Sequence, residues 1–324
     1  MFAAARVTLK QHRFEVTAAT LAALALGVWA LVVNYRLAAI SVPSGCFDTL
    51  HATGSANGGG CAGPIHAWGS ILADEGVRIV AAMAYLPFLV GLLGGVPIVA
   101  RELEARTAQT AWWLEGSRLR WLLRQAAPVL TVLGIAVAFA ALTASGVEAD
   151  RQLLGYPPFE DLGLHGPLVV VRAFAAFGVG LLLGALVGRS LPAFILGAVL
   201  SLALVFVAGE IRDRWLATRD PVVVGDAAAV VTTGWAWHTP ASRQISDQQA
   251  KALVPTEVSQ QDIGQDQALH SIGWLEDHGY SEVALGVTEE MAMGWGPYDA
   301  LFFGLVGLVS VAGAIVLVDR RRPA

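Results

Sequence analysis

The sequence predicts an α-helical polytopic membrane protein, with six transmembrane helices and a small α/β extracellular domain between helices 5 and 6. Three observations predict it. First, 55% of the 324 residues are hydrophobic and 15% are charged, against about 25% charged in a soluble globular chain. Second, the apolar residues gather in six runs, at 16–33, 77–100, 125–144, 167–187, 191–209 and 299–318. Each run is near the roughly 20 residues that a helix needs to cross the hydrocarbon core. Third, the segments between the runs alternate in charge. With the N-terminus inside, the short cytoplasmic pieces hold 12 of the 21 Lys and Arg. The longer outer pieces hold seven, and Arg78 and Arg172 lie just inside helix ends. Basic residues beside helix ends keep a segment on the cytoplasmic side, so both termini are expected in the cytoplasm.

Residues 1–15 form the first element. Arg6, Lys10 and Arg13 share one helical face, which suits an interfacial helix with its cations toward anionic headgroups of membrane lipids. The plainer reading is a basic anchor with no other role. A cleaved signal peptide would have a shorter apolar region and a small-residue cleavage site. Here the run is longer and Asn34-Tyr35-Arg36 follows it, so a retained first helix is expected.

Residues 16–209 hold transmembrane helices 1–5, with outer loops at 34–76 and 145–166 and a cytoplasmic segment at 101–124. The first outer loop carries the two cysteines of the chain, Cys46 and Cys61. Cys46-x4-His51 and Cys61-x4-His66 repeat one spacing that could hold zinc or copper. On the outer side of a membrane a disulfide is the expected state. Transmembrane helix 2 contains Pro87, Gly91, Gly94, Gly95 and Pro97, residues that weaken backbone hydrogen bonding and predict a bend or a static kink. Helices 4 and 5 form a hairpin with a turn at Gly188-Arg189-Ser190. Gly180, Gly184 and Gly188 make a small-residue ladder along helix 4, which predicts a close helix–helix seam within one chain or between two.

Residues 210–298 form the largest outer region, with 13 Asp and Glu against five Lys and Arg. Ser246 with Gln249 reads as a capping box. Residues 265–278 have helical character, with Gly279 placed to end it. The apolar runs 222–233 and 283–287 are too short to span and read as strands or buried pieces. Residues 299–324 supply the sixth transmembrane helix and a basic cytoplasmic tail.

Several functions are excluded or disfavoured. The chain has two lysines, Lys10 and Lys251, and neither follows a glycine. A GxxxxGK[ST] phosphate loop is therefore absent, and any ATP is bound by another chain. The centres of the six runs hold no ionisable residue, whereas ion-coupled carriers keep costly buried carboxylates there. Arg172 sits near an outer end, where it either pairs with Glu210 across the helix 4–5 hairpin or snorkels to water. No basic stripe with interleaved aromatics points to nucleic acid. No residues form a hydrolytic triad, and His270, His278 and the acids near them read as solvated surface residues. The expectation is a chain with no catalytic residues, no metal site and no cofactor of its own.

One segment carries a pattern. After the second run the sequence reads Arg101-Glu102-Leu103-Glu104-Ala105-Arg106-Thr107, then Trp112-Trp113, then Ser117-Arg118-Leu119-Arg120-Trp121. This resembles ABC-2-type transporter permeases, which carry an R-E-x-E-x-G-T element just after the second helix and a Ser-Arg pair near the third. It is similar in particular to actinobacterial six-helix ABC exporter permease subunits, in the order of helices, the large outer segment before helix 6 and the basic C-terminus. Arg106 stands where that family has glycine, which bears on the sharp turn the glycine would permit.

The resemblance implies a permease subunit of an ATP-driven exporter in the bacterial cell membrane. Two copies of the chain would form the path as a homodimer. Two copies of a separate ATP-binding subunit, holding ATP and Mg, would sit beneath. Residues Arg101, Glu102, Glu104, Arg106, Thr107 and Arg118 would couple to that subunit, with Arg189 as a second contact. The apolar, uncharged helices suit a hydrophobic or amphipathic cargo: a lipid, a peptide antibiotic or another secondary metabolite. The alternative is a membrane sensor or immunity protein whose outer domain binds a ligand without net transport.

Overall fold

A computed structural model describes residues 8–53, 60–107, 110, 117–156, 163–219, 222–224, 229–240, 243–255 and 272–320. Arg6, Trp112, Trp113, Pro157, Pro158, His270, Arg321 and Arg322 lie outside the described residues, as do 265–271 of the expected outer helix.

In chain order the helical elements begin with α1 (Arg13–Ala38), α2 (Ser44–Thr53) and α3 (Ala62–Ile71). A π-helical turn at Leu72–Gly76 joins α3 to α4 (Val77–Glu104), and α5 (Arg118–Leu153), α6 (Gly166–Val187) and α7 (Ser190–Ala217) follow. The remainder comprises β1 (Val222–Val224), β2 (Ala229–His238), β3 (Gln244–Ser246), α8 (Asp247–Lys251), β4 (Ser281–Thr288), α9 (Glu289–Met293) and α10 (Gly296–Arg320). Among the described residues six helices are long and apolar enough to cross a membrane. They correspond to the six apolar runs.

Four of these helices run further than hydropathy alone indicates, α7 among them, which continues past the expected end at 209 to Ala217. The expected outer loop 34–76 is largely helical: α1 continues to Ala38, and α3 with its π turn leads directly into α4. The expected loop 145–166 is helical to Leu153. Charges break the apolar pattern at both places, but folding satisfies them. Glu75 accepts hydrogen bonds from the Trp29 indole at 3.1 Å and from Arg36. Glu148 and Arg151 face each other one turn apart at 3.6 Å, both buried. Nor does α4 break at its prolines; it is continuous through Pro87 and Pro97.

The chain divides into two compact units, Met1–Glu210 with Trp295–Ala324, and Ile211–Gly294. The first unit is the helical body. Its core is apolar side chains on α1, α4, α5 and α6, among them Ala23, Ala30, Ile79, Met83, Val137 and Phe177. Burying such side chains does not by itself drive helices together in lipid, so close backbone contact matters more. The glycines of α4 and α6 provide it. A Cβ on Gly91 would lie 2.6 Å from the Ala173 carbonyl oxygen, and one on Gly184 would lie 2.7 Å from that of Val96. A Cβ on Gly180 would meet the Val96 backbone nitrogen at 3.0 Å. The seam formed by Gly180 and Gly184 therefore lies within the chain, between α4 and α6. Gly188 ends α6 in the left-handed conformation, at φ 68°.

The second unit contains a four-stranded antiparallel sheet in the order β1-β4-β2-β3. Trp237 of β2 is fully buried with Ala250, Val254 and Leu275. Ser246 and Gln249 form a reciprocal capping box at the start of α8. A helical stretch at 272–277 ends at Gly279, whose φ is 79°.

Candidate functional site

The patterned residues meet at one end of the helical body. There α4 stops in a crossed pair of hydrogen bonds: Thr107 N–H donates to Glu102 O at 3.0 Å, and Arg106 N–H to Leu103 O at 3.2 Å. This is the Schellman closure of a helix, which places the residue after the cap in the left-handed region and normally selects glycine there. Arg106 occupies that position at φ 57°. The sharp turn that the missing glycine put in question is therefore made by an arginine. Its side chain is exposed, so the backbone accepts some strain to present a cation. The Glu102 carboxylate accepts from the Thr107 hydroxyl, which closes the same turn on itself.

The neighbouring charges tie α4 to α1 and α7, and α5 to α10. Arg101 donates to Glu15 of α1 at 3.1 Å and to the Gln11 carbonyl at 3.5 Å. The Glu104 carboxylate accepts from the Ser190 N–H at 3.1 Å and from its hydroxyl at 3.0 Å. Ser190 is the first residue of α7, so Glu104 supplies from α4 an acceptor for backbone groups that a helix start leaves unpaired. Ser117 caps α5, accepting from Arg120 N–H at 3.5 Å. Next to it, Arg118 donates to the Val318 carbonyl at 3.2 Å and to that of Asp319, the last turn of α10. Arg189 is exposed beside Ser190.

Thus Arg101, Glu104 and Arg118 have partners within the chain, while Arg106 and Arg189 are presented outward. Sequence reasoning placed all of them on a docking surface. It missed the ties because the partners are 86, 86 and 200 residues away. It also missed His12, which is 3% exposed just before α1. Burial, opposed by the Glu15 charge, holds its pKa below the usual 6.5.

At the other end, Arg172 pairs with Asp299 of α10 at 2.9 Å and donates to the Gly163 carbonyl at 2.9 Å. This corrects both sequence alternatives, pairing with Glu210 and snorkelling to water. Helix α10 packs on α6, and its first-turn carboxylate lies within reach. The guanidinium also lies 5.1 Å over the Phe303 ring, a favourable cation–π contact. Cys46 and Cys61 are disulfide-bonded, with 5.4 Å between their Cα atoms, leaving neither thiolate for a metal. Between these two ends lies a cavity of about 510 Å³ lined by α4, α5, α6 and α10.

Six long apolar helices, with buried charged pairs near helix ends and a charged element closing the second helix, define a multi-pass membrane protein. The model of the family described as ABC-2 membrane transporter related matches residues 18–212, and the chain belongs to that family. The match covers the first five long helices and ends where the second compact unit begins. No curated protein and no solved structure matches the chain.

Proposed function

We propose that this protein is the membrane-spanning subunit of an ATP-driven exporter, working as a homodimer with two copies of a separate ATP-binding subunit. Its family is one of membrane transport subunits, generally not catalytic, which work with such a partner. The observation that carries the reading is the closure of α4 at Glu102–Thr107. There one exposed turn presents Arg106 while its neighbours hold α1 and α7. A partner bound at that turn acts on three helices at once, as a two-state element biased by a ligand requires. Both termini are on the cytoplasmic side in this reading, residues 1–15 lie along the inner surface, and residues 210–298 lie outside. The cargo is hydrophobic or amphipathic, in keeping with the apolar interior.

The test is co-expression with a candidate ATP-binding subunit from the same organism and reconstitution in vesicles. The expected result is a two-plus-two complex whose ATP hydrolysis is raised by the permease and reduced by Glu102→Lys or Arg106→Glu. Unchanged hydrolysis and transport in both variants would overturn the assignment.

The compact fold of Ile211–Gly294, with its own core and outside the family match, favours a second reading. In it the outer unit binds a ligand and the helices relay that binding without net transport. ATP-dependent accumulation of cargo in vesicles separates the two.

A further inference from the structure

The cavity in the helical body has features that a packing defect lacks. Its lining residues are apolar side chains and glycines, including Leu133 and Val137 of α5, Phe174 and Phe177 of α6, and Leu308 of α10. Its volume, about 510 Å³, falls within the roughly 300–1,000 Å³ of small-molecule sites. Along α10 it runs from Ala300 to Leu308, about 12 Å at 1.5 Å per residue. Leu308 is 59% exposed, so the cavity opens on the lateral surface of the body, where bilayer acyl chains lie.

Two of its lining residues are glycines that packing does not require. A Cβ on Gly134 would meet nothing within 4 Å, and one on Gly304 would meet only a Val171 methyl at 3.9 Å. Gly91, Gly178, Gly184 and Gly307 differ, because a Cβ there would strike a neighbour at 2.6–2.7 Å. Those four let helices touch. Gly134 and Gly304 give up helix propensity in mid-helix without any such gain, and what they provide is space.

We propose that this cavity is a lateral binding slot for one alkyl chain of a membrane amphiphile, entered from the bilayer past Leu308. Recognition is by chain shape and exclusion of water, since no lining side chain offers a hydrogen bond. The inference deepens the exporter reading by naming the chemical class of cargo, and rests on that reading only for what the binding serves.

The test uses the purified full chain in detergent and palmitic acid with a photoreactive diazirine at its methyl end, mapped by mass spectrometry. Label is expected on residues of α5, α6 and α10 that line the cavity, and hexadecane is expected to compete. Gly134→Leu and Gly304→Leu should each lower that labelling about tenfold, or 1.4 kcal/mol. Gly209→Leu, at a glycine of α7 also without close neighbours, should leave it unchanged. Gly134→Ala and Gly304→Ala, which favour the helix, should lower it less and guard against misfolding. Labelling spread over all lipid-facing positions, or undiminished in the leucine variants, would overturn the slot. Label in the slot without any stimulation of an ATP-binding partner would instead discard the exporter reading and leave the slot standing. ATP-driven export without such label would do the reverse.

Discussion

The carboxylate of Glu104 holds the first residue of α7, accepting both the N–H and the hydroxyl of Ser190 at 3.1 and 3.0 Å. The proposed docking surface and an internal strut therefore share one turn. Charge reversal at Glu104 and at Glu102 should differ. Glu104→Lys places a cation at a helix N-terminus, against the helix dipole, and should lower the thermal stability of the isolated chain. Glu102→Lys breaks a bond within its own turn and should leave the melting temperature nearly unchanged while lowering partner ATP hydrolysis. Equal melting shifts for both variants would contradict the strut.

Arg106 sits in a conformation that costs an ordinary residue about 1–2 kcal/mol, while glycine loses about 0.5–1 kcal/mol more unfolded-state freedom. Arg106→Gly should therefore stabilise the chain by up to about 1.5 kcal/mol, the difference of those terms. If the exposed cation serves docking, the same variant should weaken binding of the ATP-binding subunit. Arg106→Val should destabilise. Unfolding in detergent and partner pull-down measure the two effects separately.

Arg172 and Asp299 are a buried pair, with side chains 12% and 3% exposed. Removing either partner should cost about 3–5 kcal/mol, because the other charge is left uncompensated. The double variant Arg172→Leu/Asp299→Leu should recover most of that loss. A double-mutant cycle on unfolding reads the coupling directly. Additive losses would show that the pair is not coupled.

His12 gives a pH dependence with a defined sign. Its pKa is lowered from 6.5 chiefly by burial, so the unfolded chain binds the proton more readily than the folded one. Its contribution is complete above 6.5 and is lost as pH falls from there through the folded value. Wild-type protein should melt at lower temperature at pH 5.5 than at 7.5. His12→Phe should flatten that difference.

Gly184 tests the seam. A Cβ there would lie 2.7 Å from the Val96 carbonyl oxygen and 3.3 Å from the Ala100 backbone nitrogen. Gly184→Val should force α4 and α6 apart at about 1–3 kcal/mol. Gly209→Val, in open space, is the control.

The six long helices were legible because apolar length is a local property, readable in one window. The capping box at Ser246, the strands around 222–233 and 283–287, and the stop at Gly279 were legible for the same reason. Helix ends were read too short wherever a charge interrupted the run. Glu75, Glu148 and Arg151 look like loop residues until the partners that hold them are known. For Arg172 the alternatives read from the sequence were Glu210 and water, because the hairpin neighbour is nearer in sequence than α10, which supplies Asp299. The role of Glu104 was invisible for the same reason, and so was the cavity, whose walls come from four separate helices. The turn at Arg106 was the converse case: the residue argued against it, and the backbone bonds of its neighbours produced it.

The last long helix is pinned to the body near both its ends, by Asp299 to Arg172 and by Val318 to Arg118, although 84 residues of a separate compact unit precede it in the chain. That arrangement makes Ile211–Gly294 an insertion, a graft between two helices rather than a part of their scaffold. Replacing it with a short flexible tether should leave a six-helix protein that still folds. The unit is then a piece of the chain that can change without disturbing the bonds that hold the last helix to the others.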